Sequence, residues 1–113
     1  APGGWSPPAK DPYRRCVCEA TGEAEVVRFR GAAVDAIVAV GPDGRTPQDR
    51  QATLFTLMRP VKGLAAPVKV WHLKNPHKCG VTFDYGKLYD VVAVKSGEEL
   101  ETSYCLMPKK QAP

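Results

Sequence analysis

Four cysteines are the residues of this 113-residue chain whose type and spacing point most directly to chemistry. An even number of cysteines in so small a chain is typical of an exported protein with two disulfides. Cys16 and Cys18 lie two residues apart, so in an extended segment both side chains point to one face. A bond between them would close a strained ring. Two pairings stay open: Cys16–Cys79 with Cys18–Cys105, or Cys16–Cys105 with Cys18–Cys79.

Metal binding is the alternative chemistry for these side chains. Cys16, Cys18 and Cys79, together with His72 and His77, offer soft and borderline ligands for zinc or copper. The single-residue gap in Cys-x-Cys is shorter than the usual spacing of structural zinc sites. The pattern therefore favours disulfides, and we expect no metal and no other cofactor.

Catalytic motifs are missing from the sequence. It contains no Gly-x-Ser-x-Gly, no Walker loop, no His-Glu-x-x-His and no dinucleotide fingerprint. We therefore expect that the protein is not an enzyme, that His72 is a partly buried strand residue and that His77 lies in a loop.

The elements that must position the cysteines read as five β-strands with no long helix. Apolar and β-branched residues mark strands at 24–40, 51–59, 68–73 and 86–94, and a last strand runs up to Cys105. We expect a bulge or bend at Gly31, a turn at 41–44, a polar loop at 45–50, and Val68, Val70 and His72 on one strand face. The pattern predicts an all-β fold, a five-stranded OB-like antiparallel barrel.

Residues outside this predicted domain differ in composition. Residues 1–15 are Pro-rich and predict an extended arm in which Trp5 is a candidate anchor for a partner. The domain is predicted to span 16–105, and the tail 106–113 to be frayed. The chain begins at Ala1 without Met, which we expect to reflect processing of an exported protein. No apolar run approaches the ~18–20 residues that span a bilayer.

The formal net charge of +4 is unevenly distributed. A stretch without acidic residues carries Arg59, Lys62, Lys69, Lys74 and Lys78. Such a stretch could meet an acidic partner, an anionic surface or nucleic acid, although a solvated strand edge is the simpler interpretation. Tyr85 and Tyr89 flank Gly86-Lys87 and could stack on single-stranded nucleic acid, unless Tyr89 packs inward and Tyr85 caps the turn.

The order of short motifs along the chain resembles a known family. The motifs are Cys16-Val17-Cys18, Phe29-Arg30-Gly31, Val61-Lys62-Gly63, Lys78-Cys79-Gly80-Val81-Thr82-Phe83, Tyr85-Gly86-Lys87-Leu88-Tyr89 and Thr102-Ser103-Tyr104-Cys105. Together they resemble the netrin-like (NTR) module, specifically the N-terminal domain of tissue inhibitors of metalloproteinases and their bacterial relatives. The resemblance covers residues 16–105.

This resemblance implies an OB-like barrel, an exported protein, and the pairing Cys16–Cys79 with Cys18–Cys105. In the animal inhibitors the first cysteine is N-terminal, and its free amine and carbonyl oxygen chelate the zinc of the protease. Here the nitrogen of Cys16 lies in a peptide bond and has no lone pair to donate. Inhibition in that manner would require cleavage after Arg15, which would place Val17 where the family inserts a residue into the protease specificity pocket.

The sequence thus predicts an exported, periplasmic or extracellular, protein-binding module without enzymatic activity. A candidate role is an accessory or structural subunit of an envelope or extracellular complex with an unidentified protein partner. The candidate surfaces are Trp5, the segment Cys16-Val17-Cys18 (the cysteine ridge) and the basic stretch from Arg59 to Lys78. Metalloprotease inhibition after cleavage, and metal or single-stranded nucleic-acid binding, are the alternatives. Nucleic acid is not the expected partner, and the chain is not expected to span a membrane.

Overall fold

The fold is a five-stranded mixed β-sheet with two disulfides. A computed structural model describes residues 16–18, 22 and 24–108. The strands are β1 (Val26–Val40), β2 (Pro47–Phe55), β3 (Val68–Leu73), β4 (Leu88–Ser96) and β5 (Glu99–Glu101), with a 3₁₀ turn at Pro76–Lys78. The predicted arm at 1–15, including Trp5, lies outside the described residues. Within the described part of the chain, no helix is long and apolar enough to cross a bilayer.

The hydrogen-bonded order of the strands is β1-β2-β3-β5-β4, and β4 pairs back with β1 so that the sheet closes on itself. Four pairings are antiparallel, whereas β3 and β5 are parallel, with Val70 opposite Leu100 and Trp71 opposite Glu101. The prediction of a wholly antiparallel sheet is therefore wrong at this pairing. The reason is parity: strand direction cannot alternate all the way around a closed ring of five.

The strand bounds differ from the predicted ones where strands leave the core. β2 begins at Pro47, inside the stretch 45–50 that the sequence predicts as a loop. Its first residues are polar because this half of the β1–β2 hairpin buries little, so period-two alternation of apolar residues is absent. β5 has only three residues, because the chain then turns toward the disulfide at Cys105.

The irregularities of β1 also lie elsewhere than predicted. Register shifts occur between Ala33 and Asp35 and between Val38 and Val40, not at Gly31. Gly31 is in register opposite Tyr89, and its role is a close approach of backbones. A Cβ built there would lie 1.7 Å from the carbonyl oxygen of Thr56, which only glycine permits.

The core fills the inside of the closed sheet. Phe55 is fully buried and contacts Phe29 and Phe83 edge to face, with ring centroids 5.7 and 5.0 Å apart. Tyr89 also contacts Phe83, at 4.9 Å. Edge-to-face packing suits aromatic rings. Met107 is buried against the same core, so the packed part of the chain extends into the tail predicted at 106–113, of which 106–108 is described.

Candidate functional site

Both disulfides lie at one end of the sheet and attach the cysteine ridge to two late segments. Cys16 is bonded to Cys79 and Cys18 to Cys105, with sequence separations of 63 and 87 residues. The prediction of two disulfides is confirmed, and the pairing is the one that the NTR resemblance implies. The two bridges touch, since the Sγ atoms of Cys16 and Cys105 are 3.6 Å apart.

Local backbone chemistry places Cys79 at this end. Asn75 precedes the 3₁₀ turn, and its side-chain oxygen accepts a hydrogen bond of 3.0 Å from the backbone N–H of His77. Cys79 ends the turn in the left-handed region, at φ 61°. Gly80 follows in close contact with the preceding backbone, where a Cβ would lie 2.4 Å from the carbonyl carbon of Lys74. The tight turn therefore aims the sulfur of Cys79 at the ridge.

Val17 is the exposed centre of the ridge. Its side chain is 79% exposed, the largest value among the large hydrophobic residues that the structure describes as exposed. The neighbours on either side are each fixed by a disulfide, so the backbone that carries Val17 has little freedom. An exposed apolar side chain on a restrained backbone loses little conformational entropy when a partner buries it.

A depression of about 220 Å³ lies at the same end of the molecule. Trp71, Leu73, Lys78, Cys79 and Ser103 are among its lining residues. It is open to solvent and mixes apolar with polar groups. A surface of this kind suits a side chain or short segment of a protein better than a fully enclosed small molecule.

One wall of this depression is a cluster around Trp71 that sequence reasoning did not identify. The guanidinium carbon of Arg50 lies 4.2 Å from the ring centroid of Trp71, in cation–π geometry. The same guanidinium donates to Glu101 at 3.0 Å, and the indole N–H donates to Glu99 at 3.0 Å. Lys69 pairs with Glu99 at 3.7 Å. The available signal was an outward-facing tryptophan in an alternating strand.

His72 is a satisfied interior residue. Its Nδ1 lies 3.0 Å from the carbonyl oxygen of Leu73, which can only accept, so Nδ1 carries the proton. Nε2 then accepts from the hydroxyl of Thr53 at 2.6 Å, and that hydroxyl accepts from the amide of Gln51 at 3.2 Å. Burial lowers the pKa of His72 below its ordinary value. The prediction of a partly buried strand histidine holds, with burial more complete than expected.

The residues of the predicted basic stretch border more than one depression. Arg59 lies at a depression with Met58 and Val61, Lys69 at a second, and Lys78 at the one beside the ridge. Lys62 is exposed and Lys74 is half-buried. Three of the five basic residues therefore border three different depressions.

The aromatic pair predicted as a stacking platform is split. Tyr89 is buried in the core, and its hydroxyl lies 2.8 Å from the backbone nitrogen of Asp84. Tyr85 is exposed. Because only one of the two rings faces solvent, the arrangement removes the platform on which the nucleic-acid alternative depends.

The structure also changes the set of residues that could bind a metal. Among the described residues, the group of candidate ligands that lie close together consists of the four cysteines, whose sulfurs fall within 4.8 Å of one another. Neither His72 nor His77 belongs to it. All four sulfurs are in disulfides, and metal binding by cysteine requires the thiolate.

Comparison with protein-family models, with curated proteins and with solved structures finds no match to this chain.

Proposed function

We propose that this protein is an exported, non-enzymatic binding module whose fold is an OB-like barrel of the NTR type. It engages a protein partner through the cysteine ridge and the depression beside it. The observation that carries the proposal is Val17, an apolar side chain that is 79% exposed and fixed between two disulfides. An exposed apolar group on a restrained backbone can be buried against a partner with little further ordering cost.

The fold assignment has two supports. Five strands in a closed order, with a short last strand, fit a small OB-type barrel. The pairing of Cys16 with Cys79 and of Cys18 with Cys105 agrees with the motif order that resembles the NTR module. Two disulfides in a small domain are typical of oxidising compartments, which supports export to the periplasm or the extracellular space.

The depression supports recognition of a protein rather than turnover of a substrate. Its Trp71 and Arg50 belong to residue types that are enriched in interfaces. Its histidine is engaged on both ring nitrogens, and the hydroxyl beside that histidine is buried. A side chain from the partner that enters beside Val17 would meet aromatic, cationic and hydroxyl groups together.

Metalloprotease inhibition is the alternative use of the same ridge. It requires a free amine on Cys16, and in this chain that nitrogen is bonded to Arg15. Cleavage after Arg15 would be needed first. The binding module needs no such step, so it is the function that we propose.

The test is recovery of a partner from a native extract under non-reducing conditions, with purified protein as bait. We compare the wild type, Val17→Asp and the matched control Met58→Asp, whose side chain is 56% exposed far along the chain from the ridge. The wild type and Met58→Asp should recover the same protein. Val17→Asp should lower its recovery by at least about tenfold, since burial of an unpaired carboxylate at an interface is costly.

Two results would contradict the proposal: recovery of free monomer alone, or equal recovery by Val17→Asp and the wild type. A separate arm treats the protein with a trypsin-like protease that cuts after Arg15 and measures inhibition of metalloproteases. Inhibition that appears after cleavage, without any partner in the extract, would favour the inhibitor.

A further inference from the structure

The outer half of β1 has one strand edge without a partner in the described part of the chain. β1 pairs with β4 from Val26 to Ala32, and the last contacts of this side are between Ala33 and residues 86 and 87. From Ala33 to Val40 the strand pairs with β2 on its other side. The β4-side edge of 34–40 therefore presents unpaired backbone groups over about 24 Å, at ~3.4 Å a residue.

The side chains of this segment are apolar on both faces. Val34, Ile37, Val38 and Val40 are between 44% and 48% exposed. Asp35 is the single charged residue between Ala33 and Val40. Edge strands in monomers are usually protected by lysine, proline or a covering loop, and this segment contains neither residue.

Asp35 provides a local substitute for a partner strand. Its carboxylate accepts a hydrogen bond of 2.8 Å from the backbone N–H of Ala36. Since N–H groups alternate in direction along a strand, the N–H of Val38 points the same way as that of Ala36. The open edge thus carries one donor that bonds to a short side chain of its own strand, and a second donor that points outward beside it.

We propose that this edge, Val34–Val40, pairs with the same edge of a second copy of the chain. The exposed groups are backbone donors and acceptors in a row, and an added β-strand is the occupant that satisfies them. A strand with apolar residues on both faces is complementary to itself in an antiparallel, two-fold arrangement. The contact extends the sheet of one copy into the sheet of the other.

Charge placement agrees with a two-fold axis near Ile37. With Ala36 opposite Val38 of the second copy, Asp35 lies opposite Ala39 of the second copy. The two Asp35 carboxylates then lie about 14 Å apart along the strands, beyond the ~10 Å over which salt at 0.1 M screens exposed charges. No like charges face each other across this contact.

The arm at 1–15 is a poorer occupant on its sequence alone. Pro2, Pro7, Pro8 and Pro12 lack the N–H that a paired strand must donate. A second copy supplies a complete set of donors and acceptors. A pairing of two seven-residue strand edges is a small contact beside the ~1,200–2,000 Å² that stable interfaces bury. We therefore expect weak association, with a dissociation constant on the order of 100 µM.

The experiment is sedimentation velocity on the full chain under non-reducing conditions, over a concentration range that brackets this dissociation constant. Val38→Lys should weaken association by at least about tenfold, because lysines from both copies meet at the edge. Asp35→Ala should strengthen association by about fivefold. The carboxylate of Asp35 competes with the second strand for the N–H of Ala36 and places a charge at the edge, and the substitution removes both effects. Val26→Lys is the control, since Val26 is 39% exposed in the half of β1 that pairs with β4.

Amide chemical shifts measured over the same range locate the contact. Concentration-dependent shifts confined to 34–40 and its β2 neighbours are the expected result. The proposal fails if the wild type and Asp35→Ala both stay monomeric at every concentration, or if Val26→Lys weakens association as much as Val38→Lys. Amide shifts at 34–40 that stay constant over a range in which sedimentation detects association would place the contact elsewhere and would also overturn it. None of these outcomes depends on Val17, so the self-association and the proposed binding function are tested separately.

Discussion

Replacing Gly31 with alanine tests the close approach of β1 to the segment that follows β2. The added Cβ would lie 1.7 Å from the carbonyl oxygen of Thr56 and 2.9 Å from its carbonyl carbon. To bring that oxygen out to 3.0 Å, the backbone of Thr56 must move away by about 1.3 Å, from 1.7 Å. A backbone carbonyl held in a hydrogen-bonded segment cannot rotate aside as a flexible side chain would.

The cost follows from what holds that segment in place. The N–H of Thr56 donates to Ala32 at 2.9 Å, and the N–H of Met58 donates to Arg30 at 2.9 Å. Each such bond contributes about 1 kcal/mol net. Strain from inserting a methyl into a packed site costs about 1–3 kcal/mol. If both bonds are lost in addition to this strain, Gly31→Ala should lower the free energy of unfolding by about 3–5 kcal/mol.

The assay is urea unfolding followed by circular dichroism, with both disulfides intact. Gly41→Ala is the matched control, because a Cβ there has its nearest neighbours at 3.6 Å. We expect that control within about 0.5 kcal/mol of the wild type. If Gly31→Ala also lies within about 0.5 kcal/mol of the wild type, the close approach of β1 to Thr56 is not a constraint and the reasoning is wrong.

Three further predictions concern pH and the disulfides. Because burial lowers the pKa of His72, the unfolded chain takes up a proton that the folded one does not. The contribution of His72 to the free energy of unfolding should thus be complete above about pH 6.5 and be lost as the pH falls below that value. In a series of denaturation experiments at different pH, His72→Gln should reduce this pH dependence. The pKa of Asp43 is lowered to about 2, mainly by a hydrogen bond from the hydroxyl of Thr46 and secondly by one from its backbone N–H. An NMR titration of the Asp43 carboxyl should show this midpoint, and Thr46→Val should raise it; an unchanged midpoint would contradict the hydrogen-bonded turn. Replacing Cys18 and Cys105 together by serine opens a separation of 87 residues and should lower the free energy of unfolding by about 2–5 kcal/mol in chemical denaturation.

The sequence predicts strands well where they line the core. In β3 the alternation of Val68, Val70 and His72 correctly predicts one buried face, because period-two burial leaves a period-two pattern. The start of β2 is missed because a hairpin that projects beyond the core carries no such pattern. The strand order and the parallel pairing of β3 with β5 depend on closure of the whole sheet, which no local pattern encodes.

The candidate site divides in the same way. The cysteine ridge can be predicted from the sequence, because Cys16 and Cys18 cannot bond to each other without strain and must pair with Cys79 and Cys105. The Trp71 cluster is not visible, because Arg50, Glu99 and Glu101 come from two other strands and meet Trp71 only through the register. Gly31 shows the same limit: its type signals an irregular position, but a close contact with Thr56 cannot be distinguished from a bulge by local sequence.

The arrangement of the two bridges has a consequence for the covalent continuity of the molecule. Cys16 and Cys18 lie before the sheet, while Cys79 and Cys105 lie 63 and 87 residues later. Any single peptide-bond break between Cys18 and Cys105 therefore leaves two fragments that are still joined by at least one disulfide. A chain nicked in the exposed β1–β2 turn would keep its full mass until it is reduced. A module built in this way can survive a proteolytic cut as one particle, with the cysteine ridge still held in place.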